Sequence, residues 1–164
     1  MVDVYVGLGS NCNRVENIER ALDALRKLDS NLITSKFYES ASHSPVAGQH
    51  PSPYYNGAAK LTCEYSPEKI KSVLTDIENA LGRNRQNPAV VTMDIDLLLY
   101  GDLVITTPAL NVPHPDLLQY RHVLLPIAEL APGVVHPVSK VPLQQLLGEL
   151  PDQRSLFHVD FQSA

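Results

Sequence analysis

The sequence Met93-Asp94-Ile95-Asp96-Leu97-Leu98-Leu99-Tyr100 predicts a strand that carries two carboxylates two residues apart. Successive strand side chains point to opposite faces, so Asp94 and Asp96 share one face while their apolar neighbours take the other. Two anions so close repel each other, and a bound cation removes the repulsion. Mg²⁺ suits such ligands, because it typically binds one or two protein carboxylates together with water and substrate phosphates. The alternative interpretation is a half-exposed strand whose polar face is acidic.

The hydrophobic periodicity before this strand predicts five further elements. In order they are a strand at residues 2–6, a helix with the apolar stripe Ile18, Ala21, Leu22, Leu25 and Leu28, a strand within 31–38, a strand at 57–64, and a helix that Ser66-Pro67-Glu68 begins and Gly82 ends. This order is that of an α+β, ferredoxin-like (split βαβ) fold, in which two helices cover one face of an antiparallel sheet. We expect short helices at 124–130 and 143–147 to be C-terminal additions to that core, and residues 1–164 to form a single domain.

Two connecting segments are candidates for function. Residues 39–53 contain three prolines and no apolar stripe, which predicts a loop that is mobile without ligand and becomes ordered when ligand binds. Gly7-Leu8-Gly9-Ser10-Asn11 predicts a tight turn at the end of the first strand, where glycine permits a positive φ. These glycines could instead let a neighbouring loop or a ligand approach the backbone. The chain has no G-x-x-x-x-G-K-[ST] sequence, so it is not a P-loop protein.

Composition narrows the class of protein. The 164 residues have a net charge of −5 and no stripe of Lys or Arg, which argues against a nucleic-acid partner. Two cysteines without zinc spacing fit a reducing compartment, and we expect a cytoplasmic protein. The first residues do not resemble a signal peptide, and no apolar run reaches membrane-spanning length. We therefore expect a monomer that binds small molecules and no membrane.

Several short sequences taken together resemble the 6-hydroxymethyl-7,8-dihydropterin pyrophosphokinase family. They are Gly7-Leu8-Gly9-Ser10-Asn11, Tyr54-Tyr55-Asn56-Gly57-Ala58, the segment 78–83, Asp94-Ile95-Asp96-Leu97-Leu98, Val112-Pro113-His114-Pro115 and the segment 125–132. The resemblance spans nearly the whole chain in the right order. It implies a modified ferredoxin-like fold, ATP as the donor, two Mg²⁺ ions, and transfer of pyrophosphate to the pterin hydroxymethyl group with release of AMP.

The resemblance, together with the positions of these residues in the chain, predicts three groups of site residues. They are Asp94, Asp96, Arg83 and Arg85 for catalysis, with the two aspartates as metal ligands; Tyr54, Asn56 and His122 for the pterin; and Glu78, His114 and Arg121 for the nucleotide. Tyr54 can stack on a flat heterocycle, and the amide of Asn56 offers a donor and an acceptor to a pterin edge. Their positions also allow a structural interpretation, in which His114 is a turn residue, Arg83 is a cation at a helix C-terminus and Glu78 is a solvated helix residue.

The chain departs from the family pattern where arginine is expected. Val91 stands where the family has an arginine three residues before the first aspartate, the loop 83–91 is shorter, and the chain has no tryptophan. Tyr120 and His122 stand where the family has an arginine and a stacking phenylalanine. Valine cannot supply the planar bidentate contacts of arginine to phosphate. Three hypotheses follow: a working pyrophosphokinase with a variant loop, a noncatalytic paralogue that binds pterin or nucleotide, and a kinase for a related heterocycle.

Overall fold

A computed structural model describes residues 1–41 and 52–160. In these ranges the elements are β1 (Val2–Ser10), α1 (Arg14–Arg26), β2 (Ile33–Thr34), β3 (Phe37–Ser40), β4 (Tyr54–Cys63), α2 (Pro67–Ala80), β5 (Asp94–Tyr100), β6 (Ile105–Thr106), β7 (Asn111–Val112), α3 (Arg121–Leu130), α4 (Leu143–Leu146) and β8 (Phe157–Val159). Two 3₁₀ helices, Pro115–Leu118 and Leu147–Glu149, precede α3 and follow α4. Among the described helices, none has the length and apolar character that crossing a membrane requires.

The main sheet is antiparallel throughout and has the strand order β5-β1-β4-β3-β8. In this order α1 connects β1 to the strands on the far side of β4, and α2 connects β4 to β5 on the far side of β1. Both connections therefore skip one strand, which is the split βαβ arrangement. The predicted α+β, ferredoxin-like fold is confirmed.

Both faces of the sheet are covered, and not only one. Helices α1 and α2 bury apolar residues of one face, including Val4, Val6, Leu8, Ile95 and Leu97. On the opposite face, α3 and α4 pack over Tyr5, Ala58, Leu98 and Leu99. The C-terminal additions thus form a second core. Because Ile95 and Leu97 face α1 and α2, the alternation of the strand turns Asp94 and Asp96 toward the α3 side.

The predicted turn at Gly7-Leu8-Gly9-Ser10-Asn11 is wrong, because β1 continues through Ser10. Among the glycines that the structure describes, those with positive φ are Gly82 and Gly101, both outside this stretch. A Cβ atom on Gly7 would lie 3.3 Å from the Leu98 side chain, and one on Gly9 would lie 3.4 Å from Asn56 Oδ1. These two glycines therefore let the side chains of Leu98 and Asn56 approach the β1 backbone closely, and they do not form a bend.

The strand predicted within residues 31–38 is two strands, β2 and β3, which both pair with β4. Strand β4 begins at Tyr54 and not at residue 57, so Tyr54 and Asn56 lie within the sheet. A tight packing contact explains the glycine that follows them. A Cβ atom on Gly57 would overlap the Phe37 ring, so only glycine fits there.

Helix α2 begins as the sequence predicts. Ser66 is its N-cap and accepts a hydrogen bond from the Lys69 N–H at 3.2 Å, and Pro67 occupies the first helical position. The predicted mobile loop 39–53 lies largely outside the described residues, which exclude 42–51. Arg14 contacts both ends of that segment, because its Nη1 donates to Glu39 at 2.9 Å and to the Pro53 carbonyl at 3.1 Å.

Candidate active site

A cleft of about 230 Å³ opens on the α3 side of the sheet, where the ends of β1, β4 and β5 meet. The strand register brings these ends together, because Gly9 pairs with Asn56 on one side and with Asp94 on the other. The lining combines the β1 backbone with side chains of several other segments, among them Tyr54 and Asn56 of β4, Arg83 and Val91 of the loop between α2 and β5, Asp94 and Asp96 of β5, and His122 of α3.

The two aspartates occupy the positions that their spacing predicts. Asp94 lies opposite Gly9 and Asp96 opposite Gly7, and both line the cleft with side chains 45% and 31% exposed. Burial, together with the negative charge of Asp94, raises the pKa of Asp96 to about 7. A cation between the two carboxylates would remove this penalty, because it favours their charged forms. Glycine opposite each aspartate leaves room for such an ion and for its ligands.

His114 lies beside the aspartate pair. Its N–H donates to the Leu98 carbonyl at 2.9 Å, which fixes the turn against β5. Its Nδ1 accepts a hydrogen bond from the Asp116 N–H at 3.2 Å, so the neutral imidazole carries its proton on Nε2. That atom lies 3.8 Å from Asp96 Oδ1. Burial lowers the pKa of His114, which favours the neutral ring. The side chain is therefore a turn acceptor and, at the same time, a donor near Asp96.

The two loop arginines have different surroundings. Arg83 lines the cleft, and its Nη1 donates to the Met93 carbonyl at 3.1 Å and lies 3.4 Å from Asp94 Oδ1. Its buried Nε has no hydrogen-bond partner among the described residues. Arg85 is half exposed and turns toward α2, where it donates to Glu78 at 2.6 Å and to Asn79 at 3.0 Å. Only Arg83 of this pair faces the cleft.

Glu78 is not the solvated helix residue that periodicity alone suggests, because it is only 6% exposed. One carboxylate oxygen accepts from the Ile95 N–H at 2.7 Å and the other from Arg85. The Ile95 N–H belongs to β5, which is an edge strand, so Glu78 satisfies a backbone donor that the sheet leaves unpaired. Both of its oxygens are thus engaged within the protein, between the Asp94 strand and the loop.

The residues predicted to bind the pterin line the same cleft. Burial, and to a lesser degree Asp94, raises the pKa of Tyr54, so this phenol stays protonated. The Asn56 amide is 7% exposed and donates to Ser40 Oγ at 2.6 Å. His122 lines the cleft and packs against Tyr120 with ring centroids 5.5 Å apart. Arg121 is not among the described residues that line the cleft, and its charge acts on Tyr38.

The structure adds residues that sequence reasoning missed. Asn11 accepts from the Val91 N–H at 2.7 Å and donates to the Ala89 carbonyl at 2.9 Å, while Ser10 donates to the Thr92 carbonyl at 2.7 Å. Val91 is thereby held at the cleft wall with 4% of its surface exposed. Ser40 and Asp116 also line the cleft. Polar residues directly after the Gly-Leu-Gly run were a signal for Ser10 and Asn11, but nothing in the sequence indicated their partners.

Candidate metal ligands are few. The described residues contain no cluster of three or more His, Cys, Asp or Glu side chains placed to hold a metal ion. Asp94 and Asp96 match the small number of protein carboxylates that Mg²⁺ uses.

Taken together, the fold and the site define an α+β protein whose cleft is lined by one group, a pair of carboxylates and an arginine, and by a second group, a tyrosine, an asparagine and a histidine. Charged groups of this kind suit a polyphosphate with its cation, and the second group suits a flat, polar heterocycle.

Comparison with known proteins agrees with this class. Residues 5–132 match the family described as 7,8-dihydro-6-hydroxymethylpterin-pyrophosphokinase. The chain is 35% identical over 160 residues to the 2-amino-4-hydroxy-6-hydroxymethyldihydropteridine pyrophosphokinase of Haemophilus influenzae, covering 95% of this chain and 98% of that protein. It is 31% identical over 152 residues to the enzyme of the same name from Aquifex aeolicus, covering 91% of this chain and 92% of that protein.

Longer relatives match over only part of their length. The chain is 31% identical to the folic acid synthesis protein FOL1 of Dictyostelium discoideum over 95% of its own residues, but it spans 24% of that protein. It superposes with a TM-score of 0.73 on the Plasmodium falciparum HPPK-DHPS wild type with pteroate, at 16% identity, covering 90% of this chain and 42% of that one. At that identity the likeness concerns the fold alone.

The chain belongs to the 7,8-dihydro-6-hydroxymethylpterin-pyrophosphokinase family. It is an ATP-dependent pyrophosphokinase, which transfers pyrophosphate from ATP to 6-hydroxymethyl-7,8-dihydropterin in folate synthesis.

Proposed function

We propose that Asp94, Asp96 and Arg83 hold the ATP triphosphate in the cleft and that Tyr54, Asn56 and His122 hold the pterin. The observation that carries this proposal is the placement of Asp94, Asp96 and Arg83 on one wall, with Tyr54, Asn56 and His122 within the same cleft. In the reaction, the pterin hydroxymethyl oxygen forms a bond to the β-phosphorus. The bond from that phosphorus to the α–β bridging oxygen breaks, and AMP leaves with that oxygen while the hydroxyl proton passes to solvent.

Asp94 and Asp96 are the residues that would hold Mg²⁺. Their two carboxylates lie close together and repel each other, and a cation would remove that repulsion. When bound, Mg²⁺ neutralises phosphate charge and orients the transferred group for in-line attack; we propose two ions. The protein's own contribution is then positioning and electrostatics. Asp96 must give up its proton to bind the ion, and its neighbour His114 offers a neutral Nε2–H to an anion beside it.

Arg83 supplies the positive charge that Val91 lacks. Its guanidinium is already held in the cleft wall by the Met93 carbonyl, so little ordering is needed before it meets a phosphate. Arg85 would have to leave Glu78 and Asn79 to do the same. We therefore propose that Arg83 stabilises the negative charge of the transition state. We propose that Glu78 and Arg85 hold the loop between α2 and β5 against β5. Arg121 is not among the described residues that line the cleft, so we assign it no part in stabilising this charge.

Tyr54 and His122 bring two flat rings to the cleft, and a pterin fits stacking of this kind. The Asn56 NH₂ donates to Ser40, which leaves the Asn56 carbonyl oxygen on the side of Gly9 and the cleft. That oxygen can accept from the ring N–H groups and the amino group of a pterin edge. Ser40 thus sets the orientation in which Asn56 recognises the heterocycle.

We further propose that residues 1–164 form one monomeric, cytoplasmic domain with no nucleic-acid or membrane partner. The net charge of −5 and the scattered basic residues support this.

The deciding experiment is AMP release from ATP and 6-hydroxymethyl-7,8-dihydropterin, with Mg²⁺ and with EDTA. We expect AMP only when both substrates and Mg²⁺ are present, and none from Asp96→Ala, whose Mg²⁺-dependent binding of an ATP analogue should be lost in calorimetry. Binding of both substrates without AMP would favour the noncatalytic paralogue. Turnover only with another heterocycle would favour the related kinase, and equal ATP-analogue affinity in Asp96→Ala would remove the metal assignment.

A further inference from the structure

The C-terminal segment returns to the cleft after α4. It lies beyond residues 5–132, the part that matches the family. Leu150 is buried in the second core, and Gln153 donates to its carbonyl at 2.6 Å. Strand β8 then pairs with β3, which places Phe157 opposite Glu39. Residues 151–156 are therefore anchored at both ends, by Leu150 on one side and by β8 on the other.

Asp152 is the acidic residue within this anchored segment, and its side chain is only 12% exposed. Its Oδ2 accepts from the Arg121 backbone N–H at 3.2 Å, and its Oδ1 accepts from Arg154 at 2.9 Å. Arg121 is the first residue of the ten-residue helix α3, and the N-cap residue Tyr120 makes no side-chain cap bond. Asp152 thus satisfies a helix-end donor from a distant part of the chain, and its negative charge suits the helix N-terminus.

The first turn of α3 carries His122, whose side chain lines the cleft. His122 also borders a second cavity of about 300 Å³, together with Asp152 and Arg154. Ser40, which orients Asn56, lines both spaces and lies at the end of β3, the strand that β8 pairs with. The C-terminal segment therefore contacts the first turn of α3, which carries His122, and the strand that ends at Ser40.

We propose that Asp152 is a positioning residue for pterin binding, which fixes the first turn of α3 and with it the His122 side chain in the cleft. This inference rests on the proposed function, since it takes His122 as a contact of the pterin. It extends that function to a residue outside the family match. Asp152 itself does not line the cleft among the described residues, so it acts through α3.

A simple helix cap would have a different signature. Loss of a cap lowers the free energy of unfolding without favouring one ligand over another. Loss of a positioning residue weakens the binding of the ligand that the positioned side chain contacts and leaves the binding of the other ligand unchanged. The comparison of pterin and nucleotide affinities therefore separates the two roles.

The experiment uses Asp152→Ala and Asp152→Asn in the full chain. For Asp152→Ala we expect the Kd for the dihydropterin, measured with a nonhydrolysable ATP analogue and Mg²⁺, to rise roughly fivefold, which is a typical helix-end hydrogen bond expressed as a change in affinity. The Kd for the ATP analogue alone should stay within about twofold. Asp152→Asn keeps one acceptor oxygen and should restore part of the loss. The matched control is Asp23→Ala, which removes a carboxylate paired with Arg26 at 2.8 Å on the exposed face of α1.

A second readout needs no ligand. The imidazole proton resonance of His122, assigned with His122→Gln, should shift in Asp152→Ala and not in Asp23→Ala. It therefore tests the positioning even if wild-type protein fails to bind pterin, a result that would overturn the proposed function instead. Three results would each overturn the role of Asp152. They are an unshifted His122 resonance, a pterin Kd within about twofold of wild type, and an equal loss of pterin and ATP-analogue affinity.

Discussion

Asp96 faces Gly7 across the strand pair and shares the cleft with Asp94. Its raised pKa, about 7, means that the folded protein without metal binds this proton more tightly than the unfolded chain, where the ordinary value is 3.8. Protonation therefore favours the folded state. The stabilisation is complete below the unfolded value and is lost as the pH rises through about 7.

We accordingly predict that Asp96→Asn makes the metal-free protein more stable than wild type above pH 7, and that the difference in Tm disappears near pH 4, close to the unfolded value of 3.8. Thermal unfolding in EDTA between these pH values measures it. Asp23→Asn controls for the change in total charge. With Mg²⁺ at high pH the order should reverse, because the two carboxylates of wild type bind the ion more tightly than the single carboxylate of the variant. A constant difference across the pH range would contradict the effect of burial on Asp96.

Arg83 is the second residue whose role the cleft geometry distinguishes. Arg83→Ala should lower kcat by roughly 10²–10³, the usual cost of one preorganised donor to a developing charge. Arg85→Ala and Arg121→Ala, whose side chains lie outside the cleft lining, should each lower it by less than about tenfold. Single-turnover measurements with saturating ATP and pterin give the comparison. If Arg121→Ala slows the chemical step as much as Arg83→Ala, the cleft position of Arg83 does not distinguish it as the arginine that stabilises the charge.

At the scale of elements, the loop between α2 and β5 is attached to the end of β1 by Ser10 and Asn11. Both ends of the Asn11 amide are used, and the residue is 7% exposed, so its removal leaves a buried N–H and a carbonyl unpaired. We predict that Asn11→Ala lowers the free energy of unfolding by about 1–3 kcal/mol, which urea denaturation measures. Asn31→Ala, at an exposed position, is the control and should have little effect. An Asn11→Ala variant as stable as this control would show that the attachment does not hold the loop.

At the scale of the whole molecule, the sheet separates two cores. Leu74 of α2 and Leu124 of α3 are both fully buried, one on each face. If the C-terminal additions form a true core, Leu74→Ala and Leu124→Ala should each lower the free energy of unfolding by about 2–5 kcal/mol. Leu118→Ala, at a position 37% exposed, is the control. A negligible cost for Leu124→Ala alone would mean that α3 is only loosely attached.

The same two-core arrangement gives the site its depth. The α1 and α2 face is closed by aliphatic side chains, whereas α3 leaves the strand ends uncovered and contributes His122 and Val123 as a wall. The cleft therefore lies at the boundary of the second core, where burial of Asp96 and Tyr54 is sufficient to shift their pKa values.

Local sequence patterns determined the elements and the acid pair. The apolar stripes of α1 and α2, the Ser66-Pro67 start and the Asp-x-Asp spacing depend on helix and strand periodicity, which acts over a few residues and can be read along the chain. The family resemblance named the cleft residues. Tyr54, Asn56, Arg83, Asp94, Asp96 and His122 do line one cleft.

Only the tertiary structure decided what each of these residues contacts. Gly7 and Gly9 suggested a turn because glycine permits one, but strand pairing on both sides of β1 kept them extended. Helix periodicity suggested that Glu78 is solvated, yet it is buried and accepts a hydrogen bond from the Ile95 N–H of the edge strand. The bonds from Asn11 to residues 89–91 and from Asp152 to Arg121 join positions far apart in the chain. Such pairs depend on how strands and helices pack, and no local pattern encodes that packing.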